Sequence, residues 1–178
     1  MSAGSRPLAV LVGPPGSGKS TVAEALARRW GVAVRDTDTD VERRAGRAIA
    51  DIFVVDGEPV FREWEREAVV AALAEHAGVV SLGGGAVMDP RTEAALAGHR
   101  VVFLDVSLAE AARRIGLNRD RPLLIGNPRA QWHRLMEARR PVYERVGVVQ
   151  VSTDGRSPDE VAADIDAALT AAEEGERG

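Results

Sequence analysis

Eight residues near the start of the chain, Gly13-Pro14-Pro15-Gly16-Ser17-Gly18-Lys19-Ser20, match the pattern GxxxxGK[ST]. Glycines at this spacing let successive backbone N–H groups turn onto phosphate oxygens, and the N-terminus of a following helix adds its partial positive charge. In such a loop Lys19 reaches the β- and γ-phosphates of a nucleotide, and the Ser20 hydroxyl ligates Mg²⁺. A second group of chemical interest is Asp36-Thr37-Asp38-Thr39-Asp40. A hydroxyl acceptor needs a group to orient it and take its proton, and Mg²⁺ needs oxygens that include waters held by carboxylate. Asp36 and Asp38 suit those two tasks, although Asp and Thr also cap helices, the role expected of Asp40. Asp105 competes for the metal role, because Val101-Val102-Phe103-Leu104-Asp105 is an apolar run that ends in a carboxylate. Together these residues point to Mg-ATP binding and transfer of the terminal phosphoryl group to a small acceptor.

Short β-branched runs alternate with longer amphipathic segments, and it is these elements that must bring the groups together. Strands are expected at Leu8–Val12, Val32–Arg35, Val79–Leu82, Val101–Asp105 and Val148–Val151. Helices are expected at roughly Lys19–Trp30, Pro59–Glu75, Arg91–Ala97, Leu108–Ile115, Pro128–Arg145 and Pro158–Ala172. This βαβα order predicts an α/β fold: a single three-layer P-loop domain over 1–178, with a five-stranded parallel sheet and helices on both faces. In such a sheet the strands' carboxyl ends, and so Asp36 and Asp38, face the same crevice as the phosphate loop. Arg113 to Arg129 packs arginines, prolines, glycines and asparagines together and reads as an exposed mobile loop, a lid over about 113–126. Residues 173–178 are charged and contain glycine, and are expected to fray.

Composition narrows the function classes. With 178 residues, 45% of them hydrophobic, the chain can bury one sizeable core but not two. A formal net charge of -4 supplies no general attraction for nucleic acid or for an anionic membrane, so any polyanion site must be local. The absence of cysteine removes disulfides, thiolate metal sites and a cysteine nucleophile, and fits a cytoplasmic protein. No run of apolar residues approaches the length needed to cross a bilayer. His76, His99 and His133 lack metal-ligand spacing, and Trp30, Trp64 and Trp132 read as packing residues. No apolar stripe is left over after the core helices are assigned, which suggests a monomer.

Beyond these elements the chain resembles the shikimate kinases, ATP-dependent enzymes that phosphorylate the 3-hydroxyl of shikimate on the route to chorismate and the aromatic amino acids. The resemblance rests on an ordered set that spans nearly the whole chain: GPPGSGKST, DTD, GRAIADIFVVDGEPVFREWE (46–65), SLGGGAV (81–87), RPLL (121–124) and RRPVYERV (139–146). It implies a nucleoside-monophosphate-kinase-like fold with a mobile lid and a substrate-binding region at about 36–65. It further implies that Gly16, Ser17, Gly18, Lys19, Ser20 and Thr21 hold ATP, with Arg156 near the adenine and Arg121 on the phosphates from the lid. Asp38 would hold the acceptor hydroxyls, and Arg62 and Arg139 the shikimate carboxylate. Gly83, Gly84 and Gly85 would admit the ring, and Asp36 would serve Mg²⁺ through water, ahead of Asp105.

Alternatives stay open at this stage. Arg62 lies four residues after Glu58 and could merely form a helix-surface pair. Arg139 could sit on an exposed arginine-rich face, with its neighbour Arg140 pointing inward instead. Arg113, Arg114, Arg119 and Arg129 compete with Arg121 for the phosphates. A gluconate or nucleoside monophosphate kinase of the same fold, or a nucleotide-dependent switch that phosphorylates no metabolite, are the rival functions.

Overall fold

The computed structural model describes residues 5–116 and 127–178. In chain order the described elements are β1 (Ala9–Val12), α1 (Lys19–Trp30), β2 (Val34–Asp36), α2 (Thr37–Ala45), α3 (Ile49–Val55), α4 (Glu58–Glu75), β3 (Val79–Ser81), a single 3₁₀ turn (Ala86–Met88), α5 (Pro90–Ala95), β4 (Val101–Asp105), α6 (Leu108–Ile115), α7 (Pro128–Val146), β5 (Val149–Ser152) and α8 (Pro158–Arg177).

All four residues of β1 are apolar and buried, as a central strand covered on both faces requires. β1 pairs in parallel with β3 on one side and β4 on the other, and the five-stranded order is β2-β3-β1-β4-β5. Side chains alternate across this sheet. Val10, Val12, Val101 and Phe103 face a core built with α4, α6 and α7, among them Val69, Ala111, Trp132, Met136 and Tyr143. Ala9, Leu11, Val102 and Leu104 face the opposite core, which α1 and α8 complete through Val22, Leu26, Val161, Ile165 and Leu169. A third, smaller core of Val41, Ile52 and Phe61 joins α2 and α3 to α4. The three-layer α/β architecture with a five-stranded parallel sheet is therefore present. Among the described residues no helix is long and apolar enough to cross a membrane.

Several boundaries differ from the sequence expectation, each for a local reason. β2 and β5 begin one or two residues later than expected, an offset common at element ends. Helices α2 and α3 were not expected at all. α2 starts where Asp36 accepts hydrogen bonds from the backbone N–H groups of Asp38 and Thr39, so Asp36 is its N-cap. Asp40 is not a cap: it lies inside α2 and pairs with Arg35 at 2.7 Å. Through the segment 173–178, where fraying was expected, α8 continues to Arg177. Its Ala-Ala-Glu-Glu stretch favours helix, and Arg100 pairs with Glu173 at 3.2 Å. Of the expected lid at 113–126, Arg113 to Ile115 finish α6. Gly116 caps that helix, and residues 117–126, with Arg119 and Arg121, lie outside the described residues.

Candidate active site

β1 occupies the point where the chain's sheet order reverses, with its neighbours β3 and β4 reached by separate crossovers. That arrangement opens a crevice at the strands' carboxyl ends. The loop after β1 enters the crevice and ends at Gly18, whose φ of 83° lies in the left-handed region before α1 begins. A cleft of about 410 Å³ follows, lined by Gly16, Gly18, Lys19, Ser20, Thr21, Asp36, Asp38, Gly84 and Arg114. Lys19 Nζ donates to the carbonyl oxygens of Gly13 at 2.7 Å and Pro14 at 3.3 Å. Burial lowers the Lys19 pKa to about 8, against the opposing pull of Asp38 and Asp36.

Asp38 projects from the first turn of α2 into this cleft. Desolvation pushes its carboxyl up to about 6, helped by the charges of Asp36 and Glu65 and opposed by Lys19. Thr37 stays beneath, fully buried, and its hydroxyl accepts a hydrogen bond from Gly83 N at 3.3 Å. That bond joins the start of α2 to the glycine run after β3.

The glycine run is where charged groups from α2, α4 and α7 meet. A Cβ on Gly83 would lie 2.5 Å from Asp38 Oδ1 and 3.0 Å from Glu65 Oε2. On Gly85 it would lie 2.7 Å from Arg62 Nη1 and 3.0 Å from Arg139 Nη2, and on Gly84 3.1 Å from Arg139 Nη1. Two guanidinium groups and a carboxylate thus converge on three residues that have no side chains. Arg62, in the first turns of α4, also donates to the buried Glu65 at 2.8 Å and stands 3.5 Å from Glu58. The Glu58 pair exists, but it does not turn Arg62 away from the glycines.

Arg139 and Arg140 part company on α7. Arg140 forms a two-pronged pair with Asp105, at 2.9 and 3.1 Å, and a Gln150 amide adds a third hydrogen bond to that carboxylate. Asp105 is thereby committed to structure, away from the residues lining the cleft. Asp36 lines the cleft, with Oδ1 taken by the α2 cap. Ser20 and Asp36 both line the cleft. Among the described residues no group of three or more metal-ligating side chains exists. A hard cation held largely by phosphate oxygens and water fits that sparse oxygen shell.

A second cavity of about 390 Å³ continues from the loop between α6 and the β5–α8 connection, lined by Gly18, Thr21, Arg113, Arg114, Thr153, Gly155, Arg156 and Pro158. Arg156 pairs there with Asp164 at 2.5 Å. Arg114 stands between the two cavities, donating to Thr153 Oγ1 at 2.9 Å and to the Gly16 carbonyl at 3.1 Å. Ser17 is fully buried within the loop. Arg121 lies outside the described residues.

The sequence reading passed over three neighbours of the site and counted Arg114 only among the rivals of Arg121. Glu65 lies three residues after Arg62 and Tyr143 four after Arg139, spacings that put each beside its arginine on a helix face. The fully buried Tyr143 donates its hydroxyl to the Gly84 carbonyl at 2.5 Å. Trp132, read as packing, donates its indole N–H to the Pro15 carbonyl at 2.9 Å.

The family model for shikimate kinase matches residues 15–170. The chain is 55% identical over 168 residues to a shikimate kinase of Thermobifida fusca, covering 94% of this chain and 98% of that one. It is 58% identical over 169 residues to a shikimate kinase of Streptomyces coelicolor, covering 95% and 97%. Among solved structures, a shikimate kinase from Acinetobacter baumannii in complex with shikimate is similar with a TM-score of 0.85 and 30% identity, covering 94% of each chain.

Proposed function

This chain belongs to the shikimate kinase family and phosphorylates shikimate with ATP, and on that premise we propose how the residues of its cleft do so. The observation that carries the reading is the meeting of Arg62, Arg139 and Asp38 over Gly83–Gly85, beside the lysine of the phosphate loop. Shikimate presents one carboxylate and three hydroxyls. Two guanidinium groups suit the carboxylate, and an acceptor-only carboxylate suits the hydroxyls.

In this reading the acceptor ring lies against the glycine run, where no Cβ blocks it. Arg62 and Arg139 hold its carboxylate, and Glu65 keeps Arg62 in place. Asp38 accepts a hydrogen bond from the 3-hydroxyl and takes its proton as the oxygen attacks phosphorus. The raised pKa of Asp38 suits that task, because a base poised near neutrality takes a hydroxyl proton more readily than an ordinary carboxylate. The triphosphate occupies the loop, and Lys19 Nζ leaves the carbonyls of Gly13 and Pro14 for its oxygens. Gly16, Ser17, Gly18, Ser20 and Thr21 complete the nucleotide site. The nucleoside extends into the second cavity beside Arg156, and Arg121 acts from the segment beyond α6. Ser20 and, through water, Asp36 would hold Mg²⁺, which would supply charge neutralisation on the phosphate oxygens. The enzyme works as a cytoplasmic monomer.

The test is ADP release by purified protein with Mg-ATP and, in turn, no acceptor, shikimate, quinate, gluconate and nucleoside monophosphates. Shikimate-dependent release is expected. Turnover only with another acceptor would discard the assigned acceptor pocket, and ADP release indifferent to acceptors would favour a nucleotide switch.

A further inference from the structure

The phosphate loop contains two consecutive prolines, and neither has a backbone N–H to offer a ligand. The N–H of Ser17 is also spent, on the Pro14 carbonyl at 3.1 Å. The Gly16 N–H, by contrast, has no backbone acceptor among the described residues and is open to a ligand. Which way this N–H points is a property of the Pro15–Gly16 peptide plane. In a trans peptide the C=O of one residue and the N–H of the next point in opposite directions. Glycine tolerates φ of either sign, so this plane is free to flip unless something holds it.

Trp132 holds it. Its indole N–H donates to the Pro15 carbonyl at 2.9 Å, and the ring is only 7% exposed, mounted in the core with Met136 and Tyr143. Both Pro15 and Gly16 line the cleft that contains Lys19. We propose that Trp132 is a positioning residue for the nucleotide: by gripping the Pro15 carbonyl from α7 it turns the Gly16 N–H into the phosphate cradle. The proposal rests on the reading of the loop as the ATP site. It assigns to α7 a nucleotide-side duty in addition to the acceptor-side duty of Arg139.

The test compares wild type with Trp132→Phe, which keeps a packed ring but has no donor, and Trp132→Tyr, which returns an O–H donor. ADP and shikimate affinities are measured by calorimetry, kcat and KM by coupled assay, and folding by thermal melting. Loss of one neutral hydrogen bond and its preorganisation predicts that Trp132→Phe weakens ADP binding and raises KM for ATP by about 3- to 10-fold. KM for shikimate should stay near the wild-type value, and Trp132→Tyr should recover part of the ADP affinity. Unchanged ADP affinity in a folded Trp132→Phe overturns the proposal, as does an equal loss for ADP and shikimate. If Trp132→Phe does not fold, Trp132→Tyr decides, because wild-type-like folding with no ADP affinity beyond that of a loop mutant such as Lys19→Ala overturns it. A wild-type protein that fails to bind ADP would instead overturn the nucleotide reading on which the proposal stands.

Discussion

Asp38 carries a cost that its proposed role as the base explains. Its ordinary carboxyl value is 3.8, and burial beside Asp36 and Glu65 raises it to about 6 in the folded protein. The folded state thus binds this proton more tightly than the unfolded one, so stability falls as pH rises from about 4 to about 6 and the penalty is complete above that. Asp38→Asn should therefore abolish most turnover while leaving ADP binding in place. At pH 7 it should also raise stability by on the order of 2–3 kcal/mol, readable by urea denaturation. A variant that loses activity and stability together would make Asp38 a packing residue. The same shift predicts that kcat/KM for shikimate declines below about pH 6, where Asp38 is protonated and cannot accept the hydroxyl proton. On the alkaline side, kcat/KM for ATP should decline above about pH 8 as Lys19 loses its charge in the free enzyme. At this scale the sequence was informative about identity but not about direction. Asp36 and Asp38 stood out by spacing, yet only the start of α2 shows that one oxygen of Asp36 is consumed by capping while Asp38 faces the cleft.

Among the elements, the glycine run after β3 and helix α7 do most to shape the acceptor side. Gly83 has no positive φ, so alanine there meets no backbone strain, but its Cβ would intrude to 2.5 Å from Asp38 Oδ1. Gly83→Ala is accordingly expected to fold and to bind ADP normally, while kcat/KM for shikimate drops by about 100-fold or more because the base is pushed aside. Steady-state kinetics beside ADP calorimetry would check this, and near-normal kcat/KM would mean that Asp38 has slack to move. Helix α7 places Trp132, Met136, Arg139 and Tyr143 along one face, at spacings of four, three and four residues. The next residue, Arg140, turns to Asp105 and ties α7 to β4. The choice between the neighbouring arginines, left open in the sequence, depends on helix phase, which the position of Tyr143 in the core fixes. The long helices and all five strands were legible from apolar periodicity. Helices α2 and α3 were not, since α2 is mostly polar and α3 leaves Val54 and Val55 on the surface at 85% and 66% exposure.

At the scale of the whole molecule, the proposed sites for both substrates lie at the carboxyl ends of the strands, and on that proposal the fold's stability is tied to their binding. ADP that binds only the folded chain should raise the melting temperature in proportion to the logarithm of its concentration, with about 2.7 kcal/mol gained at a hundredfold excess over Kd. Thermal denaturation across an ADP series would show it, and a flat response would mean that the cradle does not hold nucleotide. Overall charge is silent about such a site: the chain is acidic, and the cations that matter are gathered locally from α1, α4, α6 and α7. The expected absence of a leftover apolar surface meets an exception in Phe53, Val54, Val55 and Val60, which stand exposed where α3 passes into α4.

Where the phosphate loop passes α6, a Cβ on Gly16 would come within 3.1 Å of both Ala111 Cα and its Cβ. The two positions are remote in the chain, yet they share one small volume. Ala111 thus limits the phosphate loop from outside it: a larger side chain at either position would need volume that the other already fills. A loop usually described by its own short motif owes its clearance to a residue outside that motif.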